Sequence, residues 1–230
     1  IRAQNGLQEL FGKTTAEWIQ RLDLEDKNAQ IWGERTTLRT TPPMGAWRQF
    51  DFQKSEEFEY TLEVAAGQIE KGSVRIGVRV AQNGDRTLAI SGRLAGQTIE
   101  QTVTYSRAEG PPNFTTLPWA QADFGKVVAS FLLAPMPRLT ARVLIPGQKW
   151  TTRDGQTETQ SEITGPCKQA EGLNGQHVAG TVRLGASTAV HRVSYCLGAD
   201  VPLPISVKYS FPGVSIAAGM VRRSGFRNRS

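Results

Sequence analysis

No apolar run in this chain approaches the roughly 20 residues that a helix needs to cross a bilayer, so no transmembrane segment is expected. Cysteine and histidine are scarce, at two each in 230 residues. Cys167, Cys196, His177 and His191 can be drawn as a four-ligand set, but they lack the tight Cys-x2-4-Cys pairs of structural zinc sites, so no metal or other cofactor is expected. Nothing beside either cysteine would activate it as a nucleophile. Ser130 and Ser194 stand outside any Gly-x-Ser-x-Gly elbow, and the chain has no phosphate loop and no dinucleotide fingerprint. The paired acids Glu25-Asp26 and Glu56-Glu57 sit beside basic residues and read as solvated faces. These absences remove the recognisable catalytic classes, and the chain is read as non-enzymatic. Basic residues are not interleaved with aromatics on any one stretch, so nucleic acid is not an expected partner.

Glycine, at 23, and proline, at 12, are plentiful, and with 39% hydrophobic and 21% charged residues they suit a soluble, turn-rich β protein. The stretch from Phe58 to Arg107 reads as an antiparallel meander. Phe58, Tyr60, Leu62 and Val64 alternate with polar residues, as do Val74, Ile76, Val78 and Val80, then Leu88, Ile90 and Leu94. Asn83-Gly84 marks a hairpin. A two-residue loop there would put the two apolar faces on opposite sides, so a three-residue loop over 83–85 is expected, pairing Val80 with Leu88 and Val78 with Ile90. Gly96-Gln97 suits a type II′ turn pairing Leu94 with Ile99, Leu88 with Tyr105 and Arg93 with Glu100. Gly77 and Gly92 inside strands favour a curved sheet over a flat one.

Trp119, Phe124, Val127, Val128, Phe131 and Leu132 recur at three- and four-residue spacing, which predicts a helix over about 119–133, weakened at Gly125 and stopped by Pro135 and Pro137. Alternation then returns over 139–145, 149–152, 157–164, 178–184, 189–197, 201–211 and 214–221. Ahead of the meander, Thr14 to Glu17 resembles a capping box before a short helix over 16–22. The expected fold is mainly β: a strongly curved antiparallel half-barrel of about eleven strands, wrapping or covered by one or two helices. The expected division is an N-terminal extension over 1–57, a β domain over 58–221 and a basic tail over 222–230. The first residue is Ile1, from which a processed N-terminus is expected.

Net charge is +6, and Arg222, Arg223, Arg227 and Arg229 fall within the last nine residues. They read either as a solvated tail or as a contact with an acidic partner. Cys167 and Cys196 lie in or near expected strands. One reading is a disulfide in an oxidising compartment; the other is a pair of buried thiols. Trp47, Phe50 and Phe52 crowd together after Pro42-Pro43. With Trp119, Phe124 and Phe131 they either fill the core or line an apolar groove.

Four motifs resemble the bacterial DUF3108 family. They are Ala66 to Gly72, Asp123 to Leu133, Pro146 to Trp150, and Tyr195 to Ile205 with its Val-Pro-Leu-Pro. The resemblance covers roughly 58–221 and leaves the first 57 residues and the polar stretch 153–165 outside. It implies the curved half-barrel of the lipoprotein carriers LolA and LolB, a periplasmic or otherwise extracytoplasmic bacterial setting and an apolar groove, with no assigned chemistry. The function expected is therefore a binding protein holding an apolar ligand or a lipid or lipoprotein chain in a β groove. The alternative is an assembly subunit of an envelope or cell-surface complex that uses its N-terminal segment and basic tail as contact arms.

Overall fold

The structure is a computed structural model and describes residues 45–134, 136, 139, 142–154, 157–168, 173–184 and 190–225. The expected helix over 16–22, Arg227 and Arg229 lie outside the described residues. Ten strands form one unclosed, curved antiparallel sheet: β1 (Glu56–Ala66), β2 (Gln68–Val80), β3 (Arg86–Leu94), β4 (Gln97–Tyr105), β5 (Lys149–Asp154), β6 (Thr157–Lys168), β7 (Asn174–Leu184), β8 (Val190–Leu197), β9 (Ser206–Phe211) and β10 (Val214–Gly225). Their order is β4-β3-β2-β1-β10-β9-β8-β7-β6-β5. The chain runs by hairpins from the middle to one edge, crosses to the opposite edge over 106–148, and returns by hairpins to pair β10 with β1.

Alternation sorts the sheet into two faces. Phe58, Tyr60 and Leu62 on β1, Val74, Ile76 and Val78 on β2, and Leu88 and Ile90 on β3 share the inner face, continued by Met220, Ala218 and Val207. All are buried, and each such large apolar side chain contributes about 1.5–3 kcal/mol of burial. The opposite, outer face carries Glu59, Thr61, Arg75 and Ser91, which are polar. That assignment of faces is the one expected from the sequence.

The registers differ from expectation by two residues each. β2 and β3 pair Val78 with Leu88 and Ile76 with Ile90, and the loop between them spans 81–85. It is longer because it satisfies itself: Ala81 N–H donates to Asp85 O at 2.9 Å, and Asn83 Oδ1 accepts from Asp85 N at 3.1 Å. β3 and β4 join through Ala95-Gly96, with φ of 51° and 77°. That is the two-positive-φ pattern of a type I′ turn, whose twist suits a hairpin. Arg93 therefore faces Thr98, and Glu100 faces Ser91. A slip of two keeps every side chain on its own face.

The expected helix is broken. Residues 118–121 make a 3₁₀ turn, Asp123–Val127 form the α-helix α1, and Val128–Leu132 widen to a π turn. Gly125 sits where a Cβ would lie 1.9 Å from Trp119 O, so glycine permits the preceding turn to pack against α1. Of the expected strand over 139–145 the described residues show an isolated bridge between Ala46 and Val143, and 201–205 precede β9 as a buried segment outside any strand. Pro202 and Pro204 have no N–H to satisfy there. The carbonyls of that segment are used: Trp47 Nε1 donates to Val201 O at 2.9 Å, Phe50 N to Pro202 O at 2.8 Å and Tyr60 Oη to Pro204 O at 2.9 Å.

Cys167 and Cys196 form a disulfide with Cα atoms 5.9 Å apart. Cys167 on β6 stands opposite Gly175 on β7, and Cys196 on β8 stands opposite His177. The bridge thus joins two strands that are not hydrogen-bonded neighbours.

Candidate functional site

The outer face of β5 to β9 supplies the site. Lys149, Glu162, Ala179, Ser194 and Lys208 are successive register partners across the five strands. Thr151, Gln160, Thr181, Arg192 and Ser210 form the adjacent row. The residues between them, such as Val193 and Tyr209, point to the inner face. Short side chains at the centre, Ala179, Thr181 and Ser194, leave a trough of about 800 Å³ lined by all ten. Its floor offers hydroxyls and an amide. Its rim holds three cations and one carboxylate, a net +2. Lys149 Nζ lies 3.4 Å from Glu162 Oε1, an exposed pair worth at most about 1 kcal/mol. Among the described residues Arg192 and Lys208 are in no ion pair. A smaller outer-face depression of about 400 Å³ lies over β1 to β4, and there Arg75 is already held by Glu59 at 2.9 Å and Glu57 at 3.7 Å.

None of the six aromatic residues expected at a groove lines this trough. Trp47, Phe50, Phe52 and Phe124 are buried in the core, and Trp119 and Phe131 are half-buried against it. Phe50 holds φ of 62° with its ring 5.5 Å from that of Phe114. Phe131 packs edge-on to Tyr209 at 4.6 Å. The gap between the helical segment (Val127, Phe131, Leu132) and the inner face (Leu62, Val207, Ile216) is too small for a water molecule. Among the described residues these side chains close that gap.

Arg222 and Arg223, expected in a basic tail, belong to β10. Arg222 Nη1 is 4.0 Å from Glu59 Oε1 on the outer face. Arg223 Nη2 donates to both oxygens of buried Glu56, at 2.8 and 3.2 Å, and its guanidinium lies 5.9 Å from the Phe58 ring centre. β10 runs to Gly225 and residues 46–52 pack into the core, so the described body extends beyond 58–221 on both sides. The disulfide removes both cysteines from any ligand set, and His177 Nδ1 lies 2.6 Å from Thr164 Oγ1.

Sequence reasoning did not reach Lys149, Arg192 or Lys208. Each occupies the polar phase of its own strand, which is visible locally. Their convergence depends on the order of five strands, which the sequence does not display.

All four tyrosines are held protonated by burial. Desolvation raises Tyr60 and Tyr195 well above the ordinary value of 10 and raises Tyr209, while Tyr105 is pushed up to about 12. Nearby Arg223 and Arg86 partly offset the effect at Tyr60 and Tyr105. A pKa raised in the folded state means that the unfolded chain loses its protons first. Stability is therefore complete below pH 10 and falls as pH rises through the folded values. Ultraviolet titration should show phenolate appearing together with loss of circular dichroism. A normal phenolate titration near pH 10 in a folded protein would contradict this.

No family model and no curated protein matches the chain, and the likeness to DUF3108 rests on its motifs alone. Three solved structures follow parts of the trace. A Bacteroides fragilis protein with a YMCC-like fold is 10% identical, TM-score 0.36, over 78% of this chain and 100% of that one. A β-barrel-like protein of the domain of unknown function DUF1849, from Brucella abortus, is 9% identical, TM-score 0.38, over 79% and 100%. A DUF1329 family protein from Desulfovibrio piger is 7% identical, TM-score 0.28, over 78% and 89%. At these TM-scores the likenesses carry no argument about function.

Proposed function

We propose that the chain is a non-enzymatic, extracytoplasmic binding protein that holds an anionic amphiphile, a lipid or lipoprotein chain engaged through its head group, in the outer trough of β5 to β9. The trough carries the proposal. At about 800 Å³ it lies within the roughly 300–1,000 Å³ usual for ligand sites. Arg192 and Lys208 supply unneutralised positive charge, and the serine, threonine and glutamine side chains supply hydrogen bonds to a hydroxylated or phosphorylated head. The closed gap between Val127, Phe131 and Leu132 and the inner face favours the outer trough over the space beneath the helix. The disulfide supports an oxidising compartment, and the DUF3108-like motifs favour the bacterial periplasm.

Each basic residue near an anionic surface contributes about 1 kcal/mol. Replacing Arg192 and Lys208 together by glutamate turns the trough from net +2 to net −2. Co-sedimentation with phosphatidylglycerol vesicles is expected to weaken about tenfold or more, while phosphatidylcholine vesicles bind neither form. Unchanged binding to the anionic vesicles in the double variant counts against the proposal.

A further inference from the structure

The unclosed sheet has two edges, and they are built differently. β5 is six residues long and carries Lys149, Arg153 and Asp154 in sequence. Short, charged edges resist pairing with other chains. β4 is nine residues long, reads QTIEQTVTY, and has one charge and no proline. It pairs with β3 over all nine positions without a bulge.

The two-residue turn fixes which backbone groups of β4 are used. Leu94 and Gln97 flank it as a hydrogen-bonded pair, so Gln97, Ile99, Gln101, Val103 and Tyr105 direct their N–H and C=O groups to β3. Thr98, Glu100, Thr102 and Thr104 direct theirs outward. Among the described residues no strand and no backbone hydrogen bond meets them from that side.

We propose that a second copy of this chain pairs here, β4 antiparallel to β4 about a two-fold axis at Gln101. The register is self-complementary. Outward residues must face outward residues, and centring on Gln101 achieves this over the full strand. Thr98 then faces Thr104 of the second copy, and Glu100 faces Thr102, so no charge meets its like. Ile99 faces Val103 on the inner side. Gln97 faces Tyr105, whose buried hydroxyl has no hydrogen-bond partner within the chain's described residues. Gln97 Oε1 already accepts from Phe124 N at 3.1 Å, which holds that side chain at the edge. The open ladder of the monomer is closed by one symmetric contact. β5 to β9 lie at the other end of the sheet, so the dimer leaves the trough open.

The test is the solution mass of the full chain by sedimentation equilibrium at about 100 µM, where a micromolar association is saturated. Wild type is expected at twice the monomer mass. Thr102→Pro removes an outward N–H without touching a β3 bond, and is expected to halve the mass. Thr98→Lys with Thr104→Lys sets like charges opposite each other at exposed positions, and is expected to do the same with an unchanged circular dichroism spectrum. Under mild oxidation Gln101→Cys is expected to give a covalent dimer and Thr98→Cys none. A monomeric wild type, or a dimer that survives both the proline and the double lysine variant, overturns the proposal.

Discussion

Replacing Arg223 by methionine is expected to destabilise the fold by about 3 kcal/mol, toward the low end of the roughly 3–5 kcal/mol seen when one partner of a buried ion pair is removed. Glu56 is 3% exposed, and the guanidinium holds both its oxygens, at 2.8 and 3.2 Å. Methionine keeps most of the packing over Phe58 and leaves the carboxylate without its main partner. Lys54 reaches it at 3.7 Å from a largely exposed position and replaces little of the loss. The low end is expected because the Arg223 side chain remains 20% exposed. The companion variant, Glu56→Gln with Arg223→Met, removes the charge as well and should recover most of the stability. Urea unfolding of the four proteins in the cycle measures both. A single variant that loses less than about 1 kcal/mol would mean that the pair behaves as an exposed one.

Removing the disulfide is the second large effect. A closed loop with a sequence separation of 29 corresponds to about 3–4 kcal/mol of chain entropy in the unfolded state. Cys167→Ala with Cys196→Ala should therefore lower the melting temperature by roughly 10 °C for a chain of this size. Reductant should shift wild type by the same amount and leave the double variant unmoved. The position of the bridge adds a local consequence. It ties β6 to β8, so its loss should raise amide exchange first in β6 to β8. Indifference of the wild-type melting temperature to reductant would contradict this account.

How much of the molecule could be read in advance follows from what period-2 alternation encodes. It encodes faces, so the inner residues of β1 to β3 were legible from Phe58, Tyr60, Val74, Ile76, Leu88 and Ile90. It does not encode register, because a shift of two leaves the pattern unchanged. The loop over 81–85 and the turn at Ala95-Gly96 decided register through their own hydrogen bonds and dihedrals. Arg223 was hidden for a different reason. Regular alternation from Met220 would place it on the outer face, beside Glu57. The β1–β10 register shifts between Glu59 and Tyr60, skipping Val221, so that Arg222 faces Glu59 and Arg223 faces Phe58. A bulge of this kind re-aims the side chains beyond it, and here it carries an arginine inward onto a carboxylate 167 positions away. The trough was illegible because its cations come from β5, β8 and β9, whose adjacency is a property of the whole strand order. The aromatic cluster was legible as a cluster. Where its members sit follows from contacts such as Trp47 bonding to Val201 O and Phe131 lying against Tyr209, which arise from packing rather than from spacing.

Native mass spectrometry of the protein purified from its own source, without reductant, tests the central claim most directly. The account expects an added mass that organic solvent releases, that carries negative charge, and that is missing from the variant with glutamate at both Arg192 and Lys208. A clean apo mass for the wild type, or an adduct retained by that variant, would contradict it.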